Sequence, residues 1–198
     1  MTQKYGKLIV FSAPSGAGKT TIVKEILRNF PNIIFSISAT TRPKRETERD
    51  GIEYFFLAED EFKRRIEKDE FIEWEKFYDY YYGTFKSFVT ENIESGKSVL
   101  FELDVKGALT IKRLYPYAHL IYISPPSFEE LVNRLRQRNT ENESDFLKRI
   151  DRAKMELSVK DRFDYIIENR ELDNAIKEAK NLVEKILKEN YPDGNNTD

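Results

Sequence analysis

Leu8-Ile9-Val10-Phe11-Ser12-Ala13-Pro14-Ser15-Gly16-Ala17-Gly18-Lys19-Thr20-Thr21 passes from an apolar run of strand length, through a turn of small residues, into a helical pattern. In that context a phosphate-binding loop makes physical sense. Gly16 and Gly18 can adopt backbone angles that a Cβ forbids, so consecutive N–H groups can point inward around a polyphosphate. Lys19 then reaches the terminal phosphates, and the Thr20 hydroxyl is placed to ligate Mg²⁺. Ala13 stands where the pattern usually begins with Gly, which the loop accepts if that residue has negative φ. The competing reading is a Gly-rich turn that binds nothing. Lys-Thr at the start of a helical stripe argues against it.

The chain has 198 residues, enough for one domain with room for an inserted lobe. Hydrophobic content of 39% with 13% aromatics excludes a disordered chain. A formal charge of -2 gives no bulk attraction to nucleic acid or to an anionic membrane, so any functional charge must be local. The lack of Cys rules out a disulfide framework and a thiolate metal site, which suits a cytoplasmic location. Met1 to Lys7 is short and polar, and no apolar run approaches membrane-spanning length.

Beyond the loop, apolar residues at 22, 23, 26, 27 and 30 predict a helix over Thr20 to Phe30, and Ile33 to Ser38 reads as a second strand. Ala39 to Gly51 is polar and carries Arg42, Lys44, Arg45 and Arg49 around Pro43. Such a run is by default a solvated loop, the reading adopted for Lys44 and Arg49. Arg42 and Arg45, three apart across a Pro-containing turn, can instead converge on one phosphate. Strands over Glu53 to Leu57 and Phe71 to Phe77, helices over Asp60 to Asp69 and Lys86 to Glu94, and a tyrosine-rich turn from Tyr78 to Thr84 complete a small mixed lobe at 39–96. Trp74 reads as core. The α/β alternation then resumes with strands at Ser98 to Leu103, His119 to Ser124 and Phe163 to Ile167. The helices between and after them span Val105 to Leu114, Ser127 to about Arg138, Asp145 to Val159 and Leu172 to Lys188. Asn139 to Ser144 is polar and expected to be mobile, and the tail 190–198 to fray. Strands alternating with helices after a phosphate loop predict a doubly wound parallel sheet.

At Ser36-Ile-Ser38-Ala-Thr-Thr-Arg42-Pro-Lys-Arg45, Gly51-x-Glu-Tyr54, Phe-Ile-Glu73-Trp and Tyr81-Tyr82-Gly83 the chain resembles guanylate kinase. The likeness continues through Glu102-Leu-Asp104-Val-Lys-Gly107, the Arg134/Arg138 helix and Ile167-Glu-Asn169, and covers about Lys7 to Leu187. It implies one α/β domain with a three-layer parallel-sheet core of the P-loop NTP hydrolase type at 1–38 and 97–190. It further implies a GMP-binding lobe at 39–96 and a short helical lid at about 134–149. The family moves the γ-phosphoryl of ATP to GMP, giving ADP and GDP, with Mg²⁺. By resemblance, ATP lies on Ala13, Pro14, Ser15, Gly16, Ala17, Gly18, Lys19, Thr20 and Asn169. GMP lies on Ser38, Arg42, Arg45, Tyr54, Glu73, Tyr82, Thr84, Glu102 and Asp104. Lys19, Arg42, Arg134, Arg138 and Arg149 act in catalysis, and Thr20 holds the metal with Asp104 acting through water.

The chemistry fits those residue types. Guanine presents N1–H and an exocyclic amine beside O6. Glu73 can accept from both donors and the Thr84 hydroxyl can donate to O6. Adenine lacks the donor pair and would leave a desolvated Glu73 unpaired. Without the family likeness, Glu73 reads as a solvent-facing acid on an edge strand. Glu102 and Asp104, two apart at a strand end, share a face; the other reading of such acids is a helix cap. Arg134 and Arg138 are i and i+4 on one helix face. Asn139 follows Arg138 where the family usually has Gly. Arg152 stays ambiguous, Lys106 unassigned, and His119 structural. Two other functions share this pattern: a non-catalytic interaction module of the same fold, and a monophosphate kinase for another base. ATP and GMP are the expected partners, without nucleic acid or membrane, for a monomer or homodimer.

Overall fold

The computed structural model describes residues 5–77, 79–137 and 143–189. β1 (Leu8–Ser12) is buried throughout, and its alternate residues feed two separate cores, as a strand covered on both faces requires. The chain then runs through α1 (Lys19–Asn29) and β2 (Ile34–Phe35) into the lobe. There it forms β3 (Ala39–Thr40), β4 (Phe55–Phe56), α2 (Glu59–Glu67), β5 (Phe71–Phe77) and β6 (Tyr80–Phe85), before α3 (Lys86–Glu94) packs back against the main sheet. It returns through β7 (Val99–Leu103), α4 (Val105–Leu114), β8 (His119–Ser124), α5 (Phe128–Gln137) and α6 (Glu143–Ser158). A 3-10 turn at Lys160–Arg162, β9 (Tyr165–Glu168) and α7 (Leu172–Lys188) complete it.

The main sheet has the order β2-β7-β1-β8-β9, and all of its strand pairs are parallel. Ile9, Phe11, Leu100, Ile121 and Ile123 face α1 and α7. Val10, Val99, Phe101, Leu120 and Tyr122 face the other way, onto α3 and α4. The α/β reading with a three-layer parallel core therefore holds. The Ser127 hydroxyl accepts from the Glu130 N–H at 3.1 Å and caps the start of α5. Arg138, the stretch 138–142 linking α5 to α6, and the tail 190–198 lie outside the described residues. No helix among the described residues is long and apolar enough to cross a membrane.

The lobe departs from expectation in three places. The predicted second strand shortens to β2, which joins the main sheet, while β3 forms in the stretch read as a polar loop and joins the lobe's sheet, ordered β4-β3-β6-β5. The tyrosine-rich stretch is strand rather than turn from Tyr80 onward, pairing antiparallel with β5 from Phe77↔Tyr80 to Phe71↔Phe85. Tyrosine suits a pleated, half-buried surface, and the hairpin needs only the short link between Phe77 and Tyr80. Trp74 is 47% exposed rather than buried. A β-bulge between Phe71 and Glu73 explains it: Ile72 and Glu73 both turn toward the main core, which sends Trp74 outward.

Phe62 on α2 is fully buried and stacks on Phe71 at 4.3 Å, with Tyr81 at 5.4 Å. With Ala39 these residues form a cluster separate from the two main cores. Phe62→Ala is therefore expected to cost about 3–5 kcal/mol, with the loss confined to the lobe. Native-state hydrogen exchange should show β5 and β6 amides exchanging faster while β1 and β7 keep their protection.

Candidate active site

The loop after β1 closes through the Ala17 N–H, which donates to the Pro14 carbonyl at 3.1 Å. Gly16 and Gly18 have φ of 91° and 92°, in the left-handed region where a side chain is strained. Asp69 is the one non-glycine residue with positive φ among the described residues, so Ala13 meets the condition set for it. The buried Asn169 donates through Nδ2 to the Ala17 carbonyl at 2.7 Å and sits against Gly18, where a Cβ would come within 2.4 Å of it. Arg134 donates to the Asn169 carbonyl at 3.2 Å and pairs with Glu130 at 2.8 Å. Lys19 Nζ donates to the Leu103 carbonyl at 2.7 Å, and the Thr20 hydroxyl donates to Glu102. The loop thus faces the carboxyl end of β7, the edge at which open α/β sheets take ligands.

Across from the loop, the Arg42 guanidinium pairs with Glu48 at 2.7 Å and lies 5.5 Å from the Tyr54 ring. The second Glu48 oxygen accepts from the Arg45 N–H at 2.8 Å. One carboxylate therefore ties both arginine positions together. Burial would lower the Arg42 pKa, but Glu48 outweighs it and holds the guanidinium charged. The Arg42 bond in turn holds Glu48 below the usual carboxylate range, against the effect of burial. Tyr54 packs edge-on against Tyr82 at 6.1 Å, and burial, then the charge of Glu102, pushes its hydroxyl up to about 12. Ser38 lies where the chain crosses between the two sheets, its carbonyl accepting from the Phe55 N–H at 3.0 Å.

Glu73 is 9% exposed and accepts a 2.6 Å bond from the fully buried Thr84 hydroxyl on the neighbouring strand. Burial, reinforced by Asp104 and Glu75 and opposed by Thr84, raises its pKa from about 4.5 to about 7. Behind it stands a charged group the sequence left ambiguous. Arg152 on α6 binds Asp104 at 2.7 Å and Glu156 at 2.7 Å, and lies 3.7 Å over the Phe77 ring. Asp104 also caps α4, accepting from the Gly107 N–H at 2.8 Å. Glu75, bound by Lys106 at 2.7 Å, has one buried oxygen without a donor among the described residues. Burial and the adjacent Asp104 push Glu75 up to about 7, so Glu75 takes the proton of that pair. Burial would raise Asp104 too. The bonds from Glu75, the Gly107 N–H and Arg152 keep it below its ordinary range.

The sequence-predicted residues therefore fall in three groups. Ala13 to Thr20, Glu102, Arg134 and Asn169 surround the loop; Ser38, Arg42, Arg45, Tyr54 and Tyr82 line the lobe; Glu73, Thr84 and Asp104 meet between lobe and core. Asp104 takes the helix-cap reading of such acids, and its second oxygen binds Arg152. Arg149 lies on α6, three residues before Arg152. Glu48, Glu75, Gly107 and Arg152 were not singled out as site residues. Glu48 had one local signal, an acid three residues after Arg45 in a turn. The others acquire partners only through tertiary contact.

A family profile described as guanylate kinase matches residues 5–186. A guanylate kinase of Thermotoga maritima is 47% identical over 178 residues, covering 90% of this chain and 86% of its own. One from Caldanaerobacter subterraneus subsp. tengcongensis is 46% identical over 181 residues, covering 91% and 88%. The crystal structure of guanylate kinase from Anaplasma phagocytophilum is similar with a TM-score of 0.77 at 27% identity, covering 94% of this chain and 88% of that one.

Folding raises the Glu73 pKa, so the native state favours its protonated form. Ionising it costs the fold stability, increasingly from about pH 4.5 to about pH 7 and in full above that. Glu73→Gln, which never ionises, is expected to raise Tm at pH 8 by more than at pH 5. Thermal melts of both proteins across that range measure the difference.

Proposed function

Because the chain belongs to the guanylate kinase family, it is an enzyme that transfers the γ-phosphoryl group of ATP to GMP, and we propose how its residues divide that work. The observation that carries the proposal is the Glu73–Thr84 pair. A carboxylate and a hydroxyl stand side by side, both buried, and guanine offers donors beside an acceptor. Ser38, Arg42, Arg45, Tyr54 and Tyr82 hold the GMP phosphate, and Glu48 keeps the Arg42 guanidinium oriented while the site is empty of substrate. Residues Ala13 to Thr20 hold the ATP phosphates, and Asn169 stands on the adenine side.

Both substrates are anions and the acceptor oxygen is already charged, so no strong general base is needed. Catalysis consists of positioning and charge neutralisation. In this reading Lys19 leaves the Leu103 carbonyl for the β- and γ-phosphates. Arg42, Arg134, Arg138 and Arg149 supply positive charge to the moving phosphoryl. The Thr20 hydroxyl and the Glu102 carboxylate are adjacent hard oxygen donors of the kind Mg²⁺ takes. These two would hold the ion, with Asp104 acting through water; its chemistry would be to neutralise phosphate charge. By the family likeness, residues at about 134–149 act as the lid over the transfer, which would shield the γ-phosphoryl from water. The reaction is taken to occur in the cytoplasm, with small-molecule partners alone.

With Mg²⁺-ATP and each monophosphate in a coupled assay, GMP is the expected acceptor; turnover of AMP or UMP without GMP would overturn the proposal. Lys19→Ala should lower kcat on the order of 10²–10³ and leave GMP affinity nearly unchanged. Guanine recognition needs the Glu73 carboxylate, so kcat/KM for GMP should fall as pH drops through about 7. A pH profile extending from 5.5 to 8.5, with ATP saturating, checks it.

A further inference from the structure

We propose that Gly107 is a positioning residue for guanine recognition: its bare Cα leaves the space in which the Glu73 carboxylate rests against the first turn of α4. The proposal rests on the assignment of Glu73 as the acid that reads the base. One carboxylate oxygen of Glu73 is held by Thr84 at 2.6 Å. The other faces Gly107, where a Cβ would lie 2.8 Å from that oxygen and 3.4 Å from the carboxyl carbon. A carbon that close to a buried oxygen cannot stay, and one of the two must move.

The surroundings decide which. The same Cβ would also come within 3.3 Å of the Asp104 carboxylate. Asp104 is fixed by the Gly107 N–H at 2.8 Å and by Arg152 at 2.7 Å, so the turn has no free direction in which to relax. Strand β5 cannot retreat either. Two residues beyond Glu73, Glu75 is bound to Lys106 on α4 at 2.7 Å. Four residues beyond it, the Phe77 ring is covered by the Arg152 guanidinium at 3.7 Å. What remains is rotation of the Glu73 carboxylate, which breaks its bond to Thr84 and turns it from the base. Gly107 has no positive φ, unlike Gly16, Gly18, Gly51 and Gly96. The requirement is thus one of space, and helix propensity by itself favours alanine at this position.

Gly107→Ala is therefore expected to fold, the helix-propensity gain of alanine partly offsetting the lost Glu73–Thr84 bond, and to raise KM for GMP on the order of tenfold to a hundredfold while KM for ATP stays put. The preference for GMP over IMP, which lacks the exocyclic amine, should collapse in the same variant. Adding Glu73→Asp, one methylene shorter, should restore part of the lost GMP affinity. Trp74, the sole tryptophan and the neighbour of Glu73, provides a fluorescence titration of GMP independent of turnover. A Gly107→Ala protein that fails to fold, or that loses GMP and IMP to the same degree, would make Gly107 merely structural and overturn the inference. Glu73→Gln separates the two levels. If Glu73→Gln abolishes the GMP preference and Gly107→Ala leaves it intact, only this inference fails. If Glu73→Gln leaves the preference intact, the assignment of Glu73 itself is wrong.

Discussion

The amide of Asn169 occupies the place a side chain on Gly18 would need, and its bond to the Ala17 carbonyl holds the phosphate loop in shape. These partners are 152 residues apart. Asn169 reaches the loop only because β9 pairs with β8 and β8 with β1, all parallel and in register. A loop with two left-handed glycines has many other conformations available, and local sequence alone does not select among them. The sheet makes the selection. Leu131 and Leu135 of α5 close the opposite side, near Gly16, so the last third of the chain shapes the motif near its beginning.

A second constraint is the crowding of acids between lobe and core. Glu75, Asp104 and Glu156 gather around a single arginine, Arg152, which touches two of them directly and stands 3.9 Å from Glu75, and Glu73 feels the charges of Asp104 and Glu75. Burying so many carboxylates is unfavourable unless some stay protonated or paired. The molecule does both: Asp104 stays ionised beside Arg152, while Glu73 and Glu75 are raised toward neutrality. The strain on Glu73 has a functional use. A carboxylate that is costly to ionise in an empty pocket has most to gain from two donors on a base, and most to lose from a base without them.

The parts of this architecture that obey local rules were readable from the residues. β1 announces itself as a continuous apolar run, α5 by its Ser127 cap, and α7 by its helical stripe. The loop glycines and Lys19 carry their chemistry in their spacing. Tyr80 to Phe85 misled because tyrosines beside a Gly resemble a turn, whereas pairing with β5 and β3 makes them a central strand of the lobe. Trp74 misled because a bulge reverses the alternation that would have buried it. Arg152 and Glu75 gave no signal at all. Their meaning depends on α6 crossing over β5, a tertiary fact that no window of sequence contains.

Phe62, Phe71 and Ala39 form a nucleus that does not merge with the layers around β1. The piece that distinguishes one base from another is therefore packed as its own module and carried on a chassis that handles phosphate. Diversification can act on the module without disturbing the chassis. A lobe recognising a different acceptor could be grafted between β2 and α3, provided that its inward strand again meets the chassis at α4.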